Sequence, residues 1–309
     1  MFVFNHLLCF TDYPLKCLCC IASTIALLVV IRRCCFQKSI EVSPKKAIVI
    51  TGCDSGIGLE IAKHYIKLGF TVVCGLLDCN NSAGSKELSE LVRTSCISDN
   101  NRAHLIKLDI TKSEDIDNLL QLLNNLNKID IKVWALVNNA GICVYGELDW
   151  LTPEHCDQQI LVNTLGTIKV TRALLPFIIT AKALRLGDFA RLTKIMAKHG
   201  DNVIEMRANL NESKRKLYGH YFDAFHNFVL QHFGMVSPPS YEESTLFRDF
   251  DRAVLSHSPP PTIVCDTIGF RIYYFIVETV PINVQYIFLD LILKYLFKWT
   301  SPGCGDKKT

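Results

Sequence analysis

The sequence predicts an α/β domain with a doubly wound parallel sheet, held behind an N-terminal membrane anchor. Three observations predict it. Short apolar blocks alternate with amphipathic stretches from Lys46 to Phe177, the pattern of strands buried on both faces between covering helices. A glycine-rich turn, Thr51-Gly52-Cys53-Asp54-Ser55-Gly56-Ile57-Gly58, joins the first apolar block to the first amphipathic one. Near the N-terminus, Cys17 to Ile31 is a run of 15 residues without a charge.

The anchor comes first in the chain. A full span needs about 20 apolar residues, so the run is short. Leu7 to Phe10 and Leu15 extend its apolar character, and Lys16 can snorkel. A cleaved signal peptide is the alternative, since apolar cores of about 7–15 residues are usual there. No small-x-small cleavage site follows the run, which favours an anchor. Arg32, Arg33 and Lys38 beyond it outweigh Lys16 before it, and the positive-inside rule then places the following domain in the cytosol. Cys34 and Cys35 are either palmitoylation sites beside the membrane or plain thiols.

Within the domain, Lys46 to Thr51 is the first strand and Gly58 to Leu68 the first helix. Thr71 to Leu77 is the second strand and His104 to Leu108 the third. Ser113 to Leu126 carries a leucine stripe and reads as a helix, Val133 to Val137 as the fourth strand, and Pro153 to Phe177 as one long helix. Strand, glycine turn and helix together make the context of a dinucleotide fingerprint. The glycines allow a tight turn and a close approach to a pyrophosphate, which then meets the N–H groups and dipole of the helix N-terminus. Thr51, Gly52, Ser55, Gly56, Ile57 and Gly58 are the candidate phosphate-side residues, while Cys53 and Asp54 occupy variable positions and receive no role. Asp78 lies 20 residues beyond Gly58, about where an acid takes the ribose hydroxyls. Its competing reading is a solvated loop carboxylate. No Lys or Arg falls between Thr71 and Ser85 to meet a 2′-phosphate, which favours NAD over NADP.

Asn138-Asn139-Ala140-Gly141 ends the fourth strand, and Asn163 follows in the long helix. Thr-Gly-x-x-x-Gly-x-Gly, Asn-Asn-Ala-Gly and that later Asn, in this order, resemble the short-chain dehydrogenase/reductase family from about Lys45 to Phe177. Gly69 to Gly75, Leu108 to Lys112, Gly146 to Leu148 and Lys216 to Tyr221 resemble its membrane-bound branch of hydroxysteroid, retinol and 3-hydroxybutyrate dehydrogenases. The resemblance implies a Rossmann-type sheet and NAD(P)-dependent oxidation or reduction of a lipophilic alcohol or ketone, of steroid or retinoid type. It also implies that Asp109 contacts the adenine ring and that Asn138 steadies the central strands and lines the cleft. With Asn139, Ala140 and Gly141 these complete the cofactor-binding set.

The chemistry of that family needs a Tyr whose proton serves the substrate oxygen, a Lys four residues on that lowers the Tyr pKa, and a Ser that orients the oxygen. Of the ten tyrosines, none has a Lys four residues later, and the Ser-Ser strand is missing. Asn163 is the only surviving member of the catalytic tetrad. Family-like sequence stands on both sides of the gap. Leu174 to Phe177 matches the end of the long helix, and Leu186 to Thr193 resembles the segment after the family's Pro-Gly turn. Lys182 reads as a surface lysine. Two strands and the catalytic helix are therefore expected to be missing between about Ile178 and Gly187. The fourth strand should then form an apolar edge, with Thr262 to Cys265 moving inward to pair with it. The alternative function that follows is a catalytically inactive variant that binds a nucleotide or a partner.

The bulk properties agree. The chain has 309 residues, enough for one large α/β core. Net charge is +3, which suggests no nucleic-acid role. The 14 cysteines lack regular spacing, six precede residue 36, and the domain reads as reduced and cytosol-facing. No metal site is expected. The division predicted is 1–36 membrane anchor and flanks, 45–199 incomplete NAD(P)-binding domain, and 200–309 a helical, substrate-covering and membrane-associated region. In the last, Asn202 to Phe233 and about Tyr241 to Leu255 read as helices. Phe270 to Phe297 is strongly apolar and reads as lipid-facing or core-packing. The expected partners are a lipophilic small molecule and a membrane, with a homodimer as a further option. The expected location is the endoplasmic reticulum membrane with a cytosolic domain, a mitochondrial membrane being the alternative.

Overall fold

In a computed structural model the described residues are 21, 23, 24, 40–94, 102–178, 183–186, 193, 195–233, 245–256, 262–265 and 268–298. The predicted anchor, Cys17 to Ile31, lies outside them except for Ile21, Ser23 and Thr24, which are helical; Cys34 and Cys35 lie outside as well. Among the described residues no helix is long and apolar enough to cross a membrane.

The first part of the chain alternates as expected. β1 (Lys46–Thr51), α1 (Gly56–Leu68), β2 (Thr71–Leu76), α2 (Ala83–Thr94), β3 (Ala103–Lys107), α3 (Ser113–Lys128) and β4 (Lys132–Val137) follow one another. All these strands are parallel, in the order β3-β2-β1-β4. Alternate residues serve opposite faces. Ile48 and Ile50 of β1, with Val72, Cys74 and Leu76 of β2, pack against Ile57, Ile61 and Tyr65 of α1. Val49 and Val73 face the other way, onto Ile116, Leu119 and Leu123 of α3. Sheets covered on both sides demand such near-continuous apolar strands, and β2 is buried at every position.

The long helix predicted from Pro153 is present but not uniform. α4 (Pro153–Gln159) runs into a π-helical turn, Ile160–Gly166, then α5 (Thr167–Leu174) and a single 3₁₀ turn, Leu175–Phe177. Thr152 caps its start, accepting from His155 N–H. Gly166 sits where a Cβ would meet Ile110 Cγ1 at 2.8 Å, so the helix passes close over the end of β3.

The gap after Phe177 departs from the expectation in two ways. Ala183–Leu186, placed inside the predicted deletion, is a strand, β5. Thr262–Cys265, β6, does not pair with β4; it pairs in parallel with β5, Ala183 opposite Thr262 and Leu186 opposite Cys265. β6 thus finds its partner in the short strand that follows the gap. Among the described residues β4 is left as an edge, paired only with β1. Its burial is correspondingly poorer, with Lys132 and Trp134 exposed. The Trp134 indole N–H donates to the Val254 carbonyl at 2.9 Å, which ties this edge to α8 (Leu246–Val254). That helix packs Leu246, Phe250 and Val254 onto the β1–β2 face. The helix expected to begin near Tyr241 is described only from Leu246.

The stretch Asn202 to Phe233 is helical as expected and holds two helices, α6 (His199–Asn209) and α7 (Glu212–Phe233), separated where Leu210 turns to an extended backbone. Together they enclose Trp150, which stands at 0% exposure among Met206, Leu210, Tyr221 and Phe222. The last helices, α9 (Ile268–Thr279) and α10 (Ile282–Leu296), divide at Pro281.

Beside Trp150 the buried rings of His199 and His226 share a hydrogen bond, Nε2 to Nδ1 at 3.2 Å. Burial, then His199, then Arg207, push His226 down to about 4, below the ordinary 6.5, while Asp223 opposes them. A histidine depressed on folding is neutral in the folded chain and takes up a proton on unfolding. Its contribution is therefore complete above about pH 6.5 and is lost as pH falls from there toward 4. Lowering the pH from 7 to 4.5 should lower the melting temperature read by near-ultraviolet circular dichroism, and His226→Phe should flatten that dependence. An unchanged pH profile in the variant would show that the pair does not control it.

Candidate nucleotide site

The carboxyl ends of β1, β2, β3 and β4 form one rim of the sheet, and the residues singled out in the sequence gather on it. The turn after β1 is built on backbone that suits glycine: Gly52 has φ 73° and Gly56 φ 66°. Gly58 is held by space instead. A Cβ there would lie 2.4 Å from both Asn139 Nδ2 and Gly52 O. α1 starts at Gly56, and Ser55 before it is extended and makes no side-chain cap. The first N–H groups of the helix thus receive no capping bond from Ser55, and open helix N-termini of this kind take a phosphate oxygen.

The β1 and β4 ends are locked together by a small network. Thr51 Oγ1 accepts from the N–H of Asn139 at 3.0 Å and of Ala140 at 2.9 Å. Asn139 Nδ2 donates to the carbonyls of Thr51 and Gly52, both at 3.0 Å. Asn138 turns the other way and donates to Thr171 Oγ1 at 2.9 Å. The bridge between the central strands is therefore made by Asn139 rather than its neighbour. Gly141 lies beside Asn163, whose Oδ1 would be 3.2 Å from an added Cβ.

Asp54, given no role from the sequence, orders the rim. Its two carboxylate oxygens accept from Leu77 N–H at 2.9 Å and Asp78 N–H at 3.1 Å, and its carbonyl accepts from Gly84 N–H at 2.9 Å. It ties the glycine turn to the loop after β2 and to the start of α2. No local signal marks this role, because the bonds depend on where Leu77, Asp78 and Gly84 come to rest. Asp78 is exposed and bends its own loop, with Oδ1 accepting from the N–H of Asn80 and of Asn81, both at 3.0 Å. Those N–H groups, Asn81 first, hold its carboxyl below the usual range. Asp109, past the end of β3, accepts from the Thr111 N–H and hydroxyl. Burial pushes its carboxyl up, and the Thr111 bonds and Lys112 more than offset that. Both acids are thus ionised near neutrality.

Asn163, carried by the π-helical turn, has both ends of its amide on one peptide: Oδ1 accepts from Ile142 N–H at 2.9 Å, and Nδ2 donates to Ile142 O at 2.8 Å. π-turns are frequent at functional sites; this one clamps the loop after β4. The tyrosines with resolved shifts all move away from proton transfer. Burial and Glu147 push Tyr221 far up, its hydroxyl donating to Glu147 Oε1 at 2.7 Å. Burial and Asp149 raise Tyr218, and burial and Asp251 raise Tyr65. A proton-transferring Tyr needs a neighbouring cation and a lowered pKa. Among the described residues no cluster of three His, Cys, Asp or Glu side chains suits a metal ion.

The glycine cradle, the open helix N-terminus and the ionised acids fit a nicotinamide dinucleotide. Gly52, Ser55, Gly56 and Ile57 would hold its pyrophosphate, and Asp78 and Asp109 would face its adenosine. When bound, the group supplies a hydride donor or acceptor.

Comparison with known proteins agrees. Residues 46–185 match the family described as short chain dehydrogenase. D-beta-hydroxybutyrate dehydrogenase, mitochondrial, from Bos taurus is 35% identical over 53% of this chain and 45% of its own. Estradiol 17-beta-dehydrogenase 2 from Mus musculus is 34% identical over 56% of this chain and 42% of its own. Retinol dehydrogenase 5 from Mus musculus is 32% identical over 50% and 45%. The chain thus matches less than half the length of these relatives. A crystal structure of a short-chain dehydrogenase from Streptomyces avermitilis superposes with a TM-score of 0.51, covering 78% of this chain and 96% of that one at 17% identity, which speaks to the fold. Residues 46–185, which build this rim, match the short chain dehydrogenase family of oxidoreductases, for which family and fold imply NAD(P) as the nucleotide.

Proposed function

We propose that this chain binds NAD at the β1–β4 rim and does not itself turn over an alcohol. One observation carries this proposal. Only residues 178–182 lie between the turn that ends at Phe177 and β5 at Ala183. A crossover helix bearing Tyr and Lys needs a dozen or more residues, so five residues cannot hold it together with a strand bearing the Ser. The absent lysine and arginine between Thr71 and Ser85, with Asp54 and Asp78 at the end of β2, favour NAD over NADP. The test is twofold. Equilibrium dialysis of the full chain in detergent should show saturable NAD binding, and estradiol, retinol or 3-hydroxybutyrate should give no NADH above background. NADH production that depends on one of these alcohols would overturn the second half of the proposal.

A longer form of the same chain, with the missing segment restored, would be a membrane-anchored dehydrogenase for a lipophilic alcohol, steroid or retinoid. The relatives support this by their names, with hydroxybutyrate as the smaller alternative. Membrane attachment rests on the run from Cys17 to Ile31 and on the final helices. Phe275, Ile282, Tyr286, Ile287, Phe288 and Tyr295 all stand exposed on α9 and α10, on more sides than one protein partner covers. Gln285 Nε2 donates to the carbonyls of Val277 and Val280 at the Pro281 break, satisfying groups that lipid would leave bare. We place the protein at the endoplasmic reticulum membrane with its domain in the cytosol, or in a mitochondrial membrane. The exposed apolar side chains of the long helix, Ile160, Leu161, Leu165, Ile168 and Leu175, would serve a homodimer.

A further inference from the structure

We infer that the site recognises the adenosine diphosphate half of the dinucleotide and makes no binding contact with the nicotinamide half, so that ADP-ribose is as good a ligand as NAD. The inference rests on nucleotide binding at the rim, as proposed above, and names what that rim can take.

A doubly wound dinucleotide site consists of two mononucleotide halves, one on each side of the point where the strand order reverses. In this chain the first half is complete. β1, α1, β2, α2 and β3 are consecutive, and their strands pair in register. Their carboxyl ends are fixed to one another by Asp54, which joins the glycine turn to the loop after β2. Leu108 N–H donates to Leu76 O at 2.7 Å, which joins the ends of β2 and β3. Gly52, Ser55, Gly56, Ile57, Asp78 and Asp109, the residues placed at the pyrophosphate and the adenosine, all lie in this half.

Among the described residues the second half contributes a single strand to this sheet. β4 has no neighbour beyond it among the described residues, and the next strand in the chain, β5, belongs to a separate two-stranded sheet. The five residues before β5 are too few to supply the missing strand and crossover. On the β4 side of the rim, Asn163 spends both ends of its amide on the Ile142 peptide, and the Asn138 amide donates to Thr171. The Asn163 amide and the Asn138 Nδ2 are therefore already engaged within the protein. A ligand group with no differential contact adds no affinity.

The test uses the full chain in detergent with three ligands: NAD, ADP-ribose and nicotinamide mononucleotide. Calorimetric titration is expected to give NAD and ADP-ribose dissociation constants within about threefold of each other and no saturable binding of the mononucleotide. Saturation-transfer NMR on NAD should mark the adenine protons and spare those of the nicotinamide ring. NAD binding about tenfold or more tighter than ADP-ribose, or strong transfer to the nicotinamide protons, would overturn the inference while leaving nucleotide binding intact. Failure of both NAD and ADP-ribose to bind would overturn nucleotide binding itself and the inference with it.

Discussion

Replacing Trp150 with alanine should cost about 3–5 kcal/mol, the range for emptying a large aromatic site in a core. Trp150 has no exposed surface. Its ring centroid lies 4.9 Å from Phe222, 5.3 Å from Tyr221 and from His226, 5.4 Å from Phe225 and 5.6 Å from Tyr218. All of these partners belong to α7, so this one residue from the loop before α4 is what the long helix closes around. Whole domains are stable by only about 5–15 kcal/mol, so a loss of this size can unfold a region.

Which region unfolds is the sharper part of the expectation. The Trp150 cluster is distinct from the two clusters on the sheet faces. Units with separate cores open separately. In Trp150→Ala, α6 and α7 should become sensitive to protease and the near-ultraviolet aromatic signal should fall. ADP-ribose binding at the rim should stay within about threefold of the parent chain. Loss of binding together with the aromatic signal would show instead that the two clusters fold as one.

The sheet half was legible because its signals are local. Ala47 to Ile50 and Thr71 to Leu76 are unbroken buried blocks, and the glycines between β1 and α1 leave little choice of turn. α2 was not legible: its sequence, AGSKELSELVRT, is mostly polar, and its start is set by Ser82 Oγ accepting from Ser85 N–H and by Gly84 meeting Asp54. β6 was legible as a strand from Thr262 to Cys265, but its partner was not: β5 read as part of the gap, and the pairing of the two joins distant parts of the chain that no local pattern announces. The missing Tyr, Lys and Ser were legible as an absence. The use of Asp54 to brace the rim was not, since it depends on where Leu77 and Asp78 come to rest.

Gly58→Ala is the variant expected to damage the rim most. Its φ is ordinary, so the backbone itself would accept alanine; the objection is space. The new methyl would lie 2.4 Å from Asn139 Nδ2 and from Gly52 O, and 3.1 Å from the Gly52 carbonyl carbon. Two of those three atoms are backbone and cannot swing away. The third is the amide that joins β1 to β4 through Thr51 O and Gly52 O. Relief requires α1 to retreat from the turn or Asn139 to give up both bonds. Either movement takes the helix N-terminus away from the pyrophosphate position. Overpacking of this kind costs about 1–3 kcal/mol in stability, and ADP-ribose affinity should fall by about 100-fold or more, the equivalent of about 2.7 kcal/mol. The control is Gly219→Ala. Gly219 lies inside α7 with nothing within 4 Å of the added Cβ, so alanine there should stabilise the helix by about 0.5–1 kcal/mol and leave binding alone. Equal affinity in the Gly58 variant and the parent chain would mean that ligand does not enter between α1 and the end of β1, and the nucleotide site would have to be sought elsewhere on the molecule.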